Sequence, residues 1–291
     1  MRIFSLLTVV IGFLLVTPVL ACHIDPNAAW NISGFENPES AHYDAATNII
    51  YVSNVSGEAD KKDKKGFIST LSTDGKIKEL HWVDGLNAPK GIRVFEGKLY
   101  VSDIDRVLVI DIAKKKIVRK VPIPKAKFLN DVTVDSKGTI YVTDTLDNVV
   151  YSITQKGIVK KFLVGEKTEG PNGILVEGEN IYIASWGKNI KPDFSSETPG
   201  RLLKVNIKTK AIEAITPNPI GHTDGLEKDQ HGDWIVSDWK DGKIIHVSPK
   251  GEVRELLALK SGTADIGFVP SGNLVIVPQM KENTVTAYRL Q

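Results

Sequence analysis

The stretch "DVTVDSKGTIYVTDTLDNVVYSITQKGIVKKFLV", residues 131–164, contains four short runs in which apolar and polar residues alternate or β-branched and aromatic residues cluster. The runs are "DVTVDS", "TIYVTD", "NVVYSI" and "IVKKFLV", and turns containing Gly or Asn separate them. Alternation with a period of two predicts half-buried β-strands, and short turns join antiparallel neighbours. The stretch therefore predicts a four-stranded antiparallel meander.

The second run of this stretch has relatives along the whole chain. The related runs end at Asn54 ("IIYVSN"), Asp103 ("KLYVSD"), Asp144 ("TIYVTD"), Ser185 ("NIYIAS"), Asp238 ("DWIVSD") and Pro278 ("NLVIVP"). Successive ends are 49, 41, 41, 53 and 40 residues apart. Four strands repeated at about 40 to 50 residues are typical of a propeller blade. The sequence thus predicts an all-β fold, a six-bladed β-propeller with four-stranded blades.

The sixth unit is one strand short, because the chain ends directly after its third run, "TVTAYRL". The run "AWNISGF", residues 29–35, precedes the first unit and belongs to no other. We expect this N-terminal strand to complete the sixth blade, which closes the ring and leaves no open sheet edge. Residues 22–291 then form a single domain.

Residues 1–21 precede that domain and have a different character. Arg2 is followed by a mostly apolar run and by the small residue Ala21, a pattern typical of a secretory signal peptide; an uncleaved membrane anchor is the alternative. Cys22, the single cysteine, follows directly and resembles the acceptor of a bacterial lipoprotein signal, whereas simple cleavage would leave a free thiol. We expect export to the periplasm or cell envelope, or secretion, with membrane attachment only through a lipid on Cys22.

The composition is that of a soluble globular protein, with 42% hydrophobic and 25% charged residues. Lys and Arg number 37 against 35 Asp and Glu. This balance gives no electrostatic reason to expect nucleic-acid binding. We expect a monomer whose partner is a small molecule.

In each unit we expect the first strand to line the central channel, and a polar residue precedes that strand. Counting back from the repeated strand ends gives Ser40, Lys90, Asp131, Asn172, Asp224 and Asp265, with Glu39 and Asn130 one residue earlier. Carboxylates crowded at one channel mouth repel each other unless a cation neutralises them, and oxygen ligands suit Ca²⁺, Mg²⁺ or Mn²⁺. The alternative is that Asn or Asp before Gly only forms a turn.

Four short motifs carry a resemblance to a known family. They are "NPES" with Glu39, "FLNDV" with Asn130, "GPNG" with Asn172 and "HTDG" with Asp224. With them, nearly the whole chain after residue 21 resembles the regucalcin and gluconolactonase family of six-bladed propellers. The resemblance implies that Glu39, Asn172 and Asp224 hold one divalent cation, with Ca²⁺ expected and Mg²⁺, Mn²⁺ or Zn²⁺ as alternatives, and that Asn130 binds substrate.

The resemblance also implies an activity, the metal-dependent hydrolysis of a sugar lactone or a related ester. The cation would polarise the carbonyl group and activate a water molecule. Asp224 would accept the proton from that water, and Asn130 would orient the substrate and stabilise the oxyanion. Lys90, Asp131 and Asp265 are further candidates for contact with the substrate.

The chain departs from the family pattern in three places. No Trp follows shortly after Glu39, Thr223 stands where Pro is common, and the resemblance does not explain Lys90. His222 is a candidate for substrate contact or for a base, although hydrogen bonding near a turn is its more ordinary role.

Two further choices stay open from the sequence. Trp186, Trp234 and Trp239 pack between blades or form a platform for a sugar, and packing is the favoured interpretation. The second choice concerns function, because an exported propeller with a structural cation could bind a ligand or a protein partner without catalysis.

Overall fold

The computed structural model describes residues 28–290. This part of the chain is built from β-strands and three single-turn 3-10 segments, and it contains no α-helix. None of its helical segments has the length and apolar character to span a bilayer. The predicted signal peptide, residues 1–21, and the predicted lipid acceptor Cys22 lie outside the described residues, so both stay predictions.

The strands form six four-stranded antiparallel sheets and one two-stranded hairpin. In chain order they are β1 (Ala28–Ser33), β2 (Pro38–Asp44), β3 (Ile49–Asn54), β4 (Gly66–Ser72), β5 (Ile77–Leu86), β6 (Pro89–Phe95), β7 (Lys98–Asp103), β8 (Arg106–Asp111), β9 (Lys116–Pro122), β10 (Leu129–Val134), β11 (Ile140–Asp144), β12 (Val149–Ile153), β13 (Val159–Val164), β14 (Pro171–Glu177), β15 (Asn180–Ser185), β16 (Gly187–Lys188), β17 (Thr198–Pro199), β18 (Leu202–Asn206), β19 (Ile212–Ala214), β20 (Thr223–Lys228), β21 (Trp234–Asp238), β22 (Lys243–Val247), β23 (Val253–Ala258), β24 (Gly267–Val269), β25 (Leu274–Gln279) and β26 (Thr284–Arg289). The 3-10 segments are Thr145–Asp147, Glu166–Thr168 and Pro270–Gly272.

The six sheets are the blades of a propeller, as the repeats predict. Blades 1, 2, 3 and 5 are the consecutive strands β2 to β5, β6 to β9, β10 to β13 and β20 to β23. Blade 4 has the order β14-β15-β18-β19, because the hairpin β16-β17 is inserted between its second and third strands. This insertion accounts for the long spacing of 53 residues between the fourth and fifth repeats.

The N-terminal strand closes the ring, which confirms the prediction from the incomplete sixth unit. Blade 6 has the order β24-β25-β26-β1. Ala28 pairs with Tyr288 and Ser33 with Thr284 in an antiparallel register. The two ends of the described chain are therefore held in one sheet.

The apolar core is a ring of clusters that lie between neighbouring blades. Tyr141 of blade 3 packs with Ile183 of blade 4, and Val52 of blade 1 packs with Ile276 of blade 6. Each sheet is therefore covered on both faces, so a strand such as β10 is buried along its whole length. The innermost strands, which border the central channel, carry buried polar side chains that include Glu39, Lys90 and Asp224.

Candidate cation and substrate site

The inner strands bring equivalent residues of five blades to one mouth of the channel. Each repeated strand end pairs with the first residue of the inner strand: Pro38, Pro89, Leu129, Pro171 and Thr223 pair with Asn54, Asp103, Asp144, Ser185 and Asp238. The next residues are therefore equivalent, and they are Glu39, Lys90, Asn130, Asn172 and Asp224. This corrects the register expected from the sequence, which aligned Ser40 and Asp131 with Lys90. The paired residues are 16 positions apart in blade 1, 15 in blade 3 and 14 in blade 2, because the hairpins that join the inner strand to the repeated strand differ in length.

The Asn-Gly and Asp-Gly motifs are parts of strands and not turns. Asn172 and Gly173 lie in β14, and Asp224 and Gly225 lie in β20. A Cβ at Gly173 would come within 2.0 Å of the Asp224 carbonyl oxygen, and one at Gly225 within 2.3 Å of the Ile266 nitrogen. Glycine is needed here because the inner strands of adjacent blades approach closely.

Hydroxyl groups of the repeated strands hold these inner strands in place, a role that sequence reasoning missed. The Thr143 Oγ1 donates to the Asn172 carbonyl oxygen at 2.8 Å and accepts a hydrogen bond from the Asp131 backbone N–H at 2.9 Å. The Ser102 hydroxyl donates in the same way to the Asn130 carbonyl oxygen. The recurrence of Ser or Thr before the last residue of the repeat was the signal in the sequence.

A cavity of about 260 Å³ lies at this mouth of the channel. Five residues predicted for the site line it, and they are Glu39, Lys90, Asn130, Asn172 and Asp224. All five are buried, with at most 7% of their surface exposed. The structure thus brings together the three expected cation ligands and two of the expected substrate contacts.

Two of the expected ligands have oxygen atoms without a hydrogen-bond partner. The Asn172 Nδ2 donates to the Thr223 carbonyl oxygen at 3.2 Å, which fixes the side-chain amide, and its Oδ1 has no donor within residues 28–290. Glu39 Oε2 is also buried and has no donor there. Unsatisfied buried oxygens are destabilising, and a hard cation is the partner that suits carboxylate and amide oxygens. The residues present therefore fit a divalent cation.

The carboxylates of the site share an unfavourable environment. Burial, and after it the Asp224 carboxylate, raises the pKa of Glu39 well above its ordinary value, and Lys90 opposes this effect. Burial and the Asp131 carboxylate raise the pKa of Asp224 to about 8, while the hydrogen bond with Asn172 opposes the rise. A cation among these groups would relieve the repulsion.

Asn130 and Lys90 differ in how much hydrogen-bonding capacity they have left. Asn130 Nδ2 makes one long contact, 3.4 Å to Thr145 Oγ1. The Lys90 ammonium donates to the Ala59 and Ala88 carbonyl oxygens at 2.8 and 3.2 Å, and it lies 4.4 Å from the centre of the Phe128 ring. Asn130 is thus available to a ligand, whereas most of the Lys90 capacity is used within the protein.

Asp131 and Asp265 do not line the cavity. Asp131 accepts backbone hydrogen bonds from Val132 at 2.6 Å and Ile174 at 2.7 Å, so it connects blades 3 and 4. Asp265 accepts a hydrogen bond from the Ser40 hydroxyl. Both side chains thus have structural roles between blades, and their expected contact with substrate stays a prediction.

His222 and the three tryptophans named in the sequence analysis have different surroundings. His222 Nε2 lies 3.0 Å from Ser196 Oγ, and the imidazole packs against Trp186 with a centre-to-centre distance of 5.4 Å; it is not among the cavity residues. Trp186 and Trp239 line the cavity, which differs from the packing role favoured by the sequence. Trp234 belongs to the core between blades 4 and 5, as expected.

Farther along the inner strands, the channel contains a network of charged side chains that the sequence did not predict. Arg93 of β6 donates to Glu227 of β20 at 2.6 Å, and its Nη1 lies 3.3 Å from His42 Nδ1 of β2. Burial tends to raise the pKa of Glu227, but Arg93 and His42 bring it below its ordinary value. The network connects blades 1, 2 and 5 across the axis, and its residues are too far apart in the chain for a motif to show it.

Two other clusters of polar side chains are accounted for by interactions within the protein. A larger cleft of about 430 Å³ lies beside Glu169 and Arg201, but these two side chains form an ion pair with each other. Asp229, Asp233 and His246 come together at a turn of blade 5. Asp229 accepts backbone hydrogen bonds within that turn, and Asp233 pairs with His246 at 2.9 Å, so neither site has unsatisfied groups comparable to those of the channel mouth.

Comparisons with known proteins support the fold. No protein-family model and no curated protein matches the chain. A gluconolactonase from Xanthomonas campestris is similar in structure, with a TM-score of 0.68, 12% identity, and coverage of 91% of this chain and 89% of that one. A virginiamycin B lyase from Staphylococcus aureus has a TM-score of 0.62, 15% identity, and coverage of 89% and 98%. Both are six-bladed propellers, and at these identities the likeness shows the fold alone.

Proposed function

We propose that the protein is a hydrolase of lactones or related esters that depends on a divalent cation. The observation that supports this most directly is the pair of unpartnered oxygens, Glu39 Oε2 and Asn172 Oδ1, on residues that line one buried cavity. Asp224 lines the same cavity. Glu39, Asn172 and Asp224 would hold the cation, with Ca²⁺ expected.

The cavity also contains the groups that ester hydrolysis requires. A bound cation would supply Lewis acidity for the carbonyl group and for water. In the reaction, water adds to the carbonyl carbon, and the bond between that carbon and the ring oxygen breaks. One proton of the water ends on the ring oxygen, so the products are a hydroxy carboxylate and one proton. Asp224 is the carboxylate available to accept the proton, and the Asn130 amide can donate to the carbonyl oxygen as negative charge develops there.

Thr145 would assist by holding the Asn130 amide. Its hydroxyl donates to the Pro171 carbonyl oxygen at 2.9 Å, so its oxygen is left to accept from Asn130 Nδ2. The side-chain amide is then preorganised, which is the property expected of an oxyanion donor. The similarity to a gluconolactonase favours lactones among the esters.

The first experiment measures cation binding by calorimetry in Glu39→Gln, Asn172→Ala and Asp224→Asn. Each should weaken binding at least tenfold, because each removes a charge or an oxygen from the set. Asp193→Asn is the matched control, because this exposed carboxylate lines the cavity without belonging to the set. Unchanged affinity in all three variants would refute the cation site.

The second experiment measures activity on a panel of lactones with Ca²⁺, Mn²⁺, Mg²⁺ and Zn²⁺, before and after chelation. Hydrolysis should depend on the cation, and the product should be heavier than the substrate by one water molecule, which distinguishes hydrolysis from elimination. Asn130→Ala should lower kcat and leave cation affinity unchanged. A protein that binds the cation at these residues but cleaves no lactone or ester would be a ligand-binding propeller instead.

A further inference from the structure

The outer wall of the cavity has a chemical character that the proposed activity does not require. Beyond the cation set, Asn130 and Lys90, the lining is formed mainly by aromatic and aliphatic side chains. Four of them are aromatic, and we call them the aromatic wall; they are Phe128, Trp186, Phe194 and Trp239. Val55 and Met280 extend the apolar surface.

The aromatic wall is continuous. The Phe194 ring centre lies 5.0 Å from that of Phe128, at an interplanar angle of 66°, and 5.8 Å from that of Trp186, at 76°. Trp186 lies 6.0 Å from Trp239. The indole N–H of Trp186 donates to the Phe194 carbonyl oxygen at 3.0 Å. Because its one donor is used there, Trp186 offers a ligand only its apolar ring.

The hairpin insertion of blade 4 supplies part of this wall. Residues 187–199 leave the blade after Trp186, pair as β16 and β17, and carry Phe194 at the far end. Phe194 has a φ of +59°, a left-handed conformation that is unfavourable for a bulky residue. The insertion thus places an aromatic ring at the cavity from a backbone position that is unfavourable for it.

Few polar groups remain to recognise a sugar. Each hydroxyl of a polyhydroxylated lactone needs a hydrogen-bond partner when it is buried. Glu39, Asn172 and Asp224 are committed to the cation under the proposed function, and Lys90 already donates to two carbonyl oxygens. Asp193 is the one further charged group in the lining. The backbone N–H and the hydroxyl of Ser195 both donate to its Oδ1, so its Oδ2 is the carboxylate oxygen left for a ligand.

We propose that the substrate is a lactone or ester whose acyl or alcohol part carries an alkyl chain or an aromatic ring, and not a polyhydroxylated sugar lactone. This inference depends on the proposed function for the reaction itself. The apolar substituent lies against the aromatic wall, and the carbonyl group lies toward Asn130 and the cation set. Apolar burial then supplies most of the binding energy, as in other small-molecule pockets.

The first experiment compares kcat/KM for lactones with the same six-membered ring. They are glucono-δ-lactone, which carries hydroxyls, δ-valerolactone, which is unsubstituted, and δ-decalactone, which carries an alkyl chain; dihydrocoumarin adds an aromatic ring. The alkyl and aromatic lactones should exceed δ-valerolactone at least tenfold, chiefly through a lower KM. If glucono-δ-lactone is the best substrate, this inference is wrong and the hydrolase proposal stands.

A binding measurement separates this inference from the failure of catalysis. Calorimetry is done with two lactams that cannot be hydrolysed in the assay, δ-valerolactam and its 6-pentyl derivative. The pentyl compound should bind at least tenfold more tightly, whether or not any lactone is cleaved. Equal affinity for the two lactams would overturn the assignment of the wall. If no lactone is cleaved but the pentyl lactam binds tightly, the hydrolase proposal fails and the wall assignment is supported.

A variant of the wall gives the third measurement. Phe194→Ala should raise KM for δ-decalactone at least fivefold and leave δ-valerolactone nearly unchanged, and Phe194→Leu should recover part of the loss. Phe162→Ala is the matched control, since that ring packs on Tyr141 in blade 3 and does not line the cavity. An equal effect on both lactones, or no effect on either, would contradict the inference.

Discussion

Single hydroxyl groups decide where the site residues lie. Through its hydroxyl, Thr143 accepts a hydrogen bond from the Asp131 N–H in its own blade and donates one to the Asn172 carbonyl oxygen in the next blade. Its methyl group gives it the β-propensity needed for an inner sheet position, and its oxygen satisfies two buried backbone groups. The same residue type thus serves the strand and the site.

We predict that Thr143→Val lowers the free energy of unfolding by about 1 to 3 kcal/mol, because two buried backbone groups lose their partner. It should also weaken cation binding severalfold, since Asn172 loses its anchor. Urea unfolding and cation calorimetry measure the two effects.

Thr133→Val is the control for this prediction. Thr133 Oγ1 accepts a hydrogen bond from Val176 at 3.2 Å, between the same two blades but farther along the strands. Its substitution should destabilise the protein without weakening cation binding. Equal cation affinity in the two variants would contradict the role of Thr143.

At the scale of strands, the spacing between inner strands depends on glycine. Gly173 faces the Asp224 carbonyl oxygen, and Gly91 faces the Cα of Asp131 at a hypothetical Cβ distance of 2.5 Å. No side chain fits at these positions while the strands keep their separation. The glycines therefore set the distance between site residues on adjacent blades.

We predict that Gly173→Ala destabilises the fold by about 1 to 3 kcal/mol through overpacking. Because the strain falls between Asn172 and Asp224, cation affinity should fall as well. Gly267→Ala provides the comparison, since its Cβ would meet the Ala41 carbonyl oxygen at 2.7 Å, away from the cavity. It should lower the melting temperature but preserve cation affinity; a loss of affinity in both variants would point to general unfolding.

At the scale of the whole molecule, the N-terminal strand and the last blade close the ring. Trp30 and Ile32 of β1 pack against the cluster between blades 1 and 6. The indole N–H of Trp30 also donates to the Thr73 carbonyl oxygen at 3.0 Å. Closure thus depends on side chains as well as on strand pairing.

We predict that a chain beginning at Gly34 is less stable than one beginning at Ala28 by at least about 3 kcal/mol, from the loss of two apolar side chains. For a domain of this size that corresponds to a melting temperature lower by roughly 6 to 12 °C. Calorimetric scans of the two proteins test this. Equal melting temperatures would show that β1 contributes nothing to closure.

The channel network adds a pH dependence to the stability of the molecule. Burial, and after it the Arg93 guanidinium, lowers the pKa of His42, while Glu227 and Asp44 oppose the change. The unfolded chain, with a histidine pKa of about 6.5, therefore binds the proton at higher pH than the folded protein. The contribution of neutral His42 to stability is therefore fully present above the unfolded-state pKa. It is lost as the pH falls from that value through the lower pKa of the folded state.

We predict that the free energy of unfolding decreases more between pH 7 and pH 5.5 in the wild-type protein than in His42→Gln. The difference should reach up to about 1.4 kcal/mol per pH unit. Urea unfolding of both proteins across this range measures it, and the other titrating groups cancel in the comparison. Parallel curves would show that His42 does not titrate differently on folding.

The amino-acid sequence by itself determined the six blades, the four strands in each and the closing strand. These features follow from local alternation, short turns and a repeat, all of which are visible along one stretch of chain. Four motifs that resemble a known family also singled out Glu39, Asn130, Asn172 and Asp224, which line one cavity. Export and lipidation at residues 1–22 stay predictions.

Only the tertiary structure decided which of two adjacent residues faces the cavity. The hairpins that join β2 to β3 and β10 to β11 are longer than the one that joins β6 to β7, so Glu39 and Asn130, and not Ser40 and Asp131, take the positions equivalent to Lys90. A shift of one residue exchanges the faces of a strand. The aromatic wall and the network of Arg93, Glu227 and His42 likewise depend on ring closure. Their members are distant in the chain, and no local pattern encodes a contact that forms only when separate blades meet around one axis.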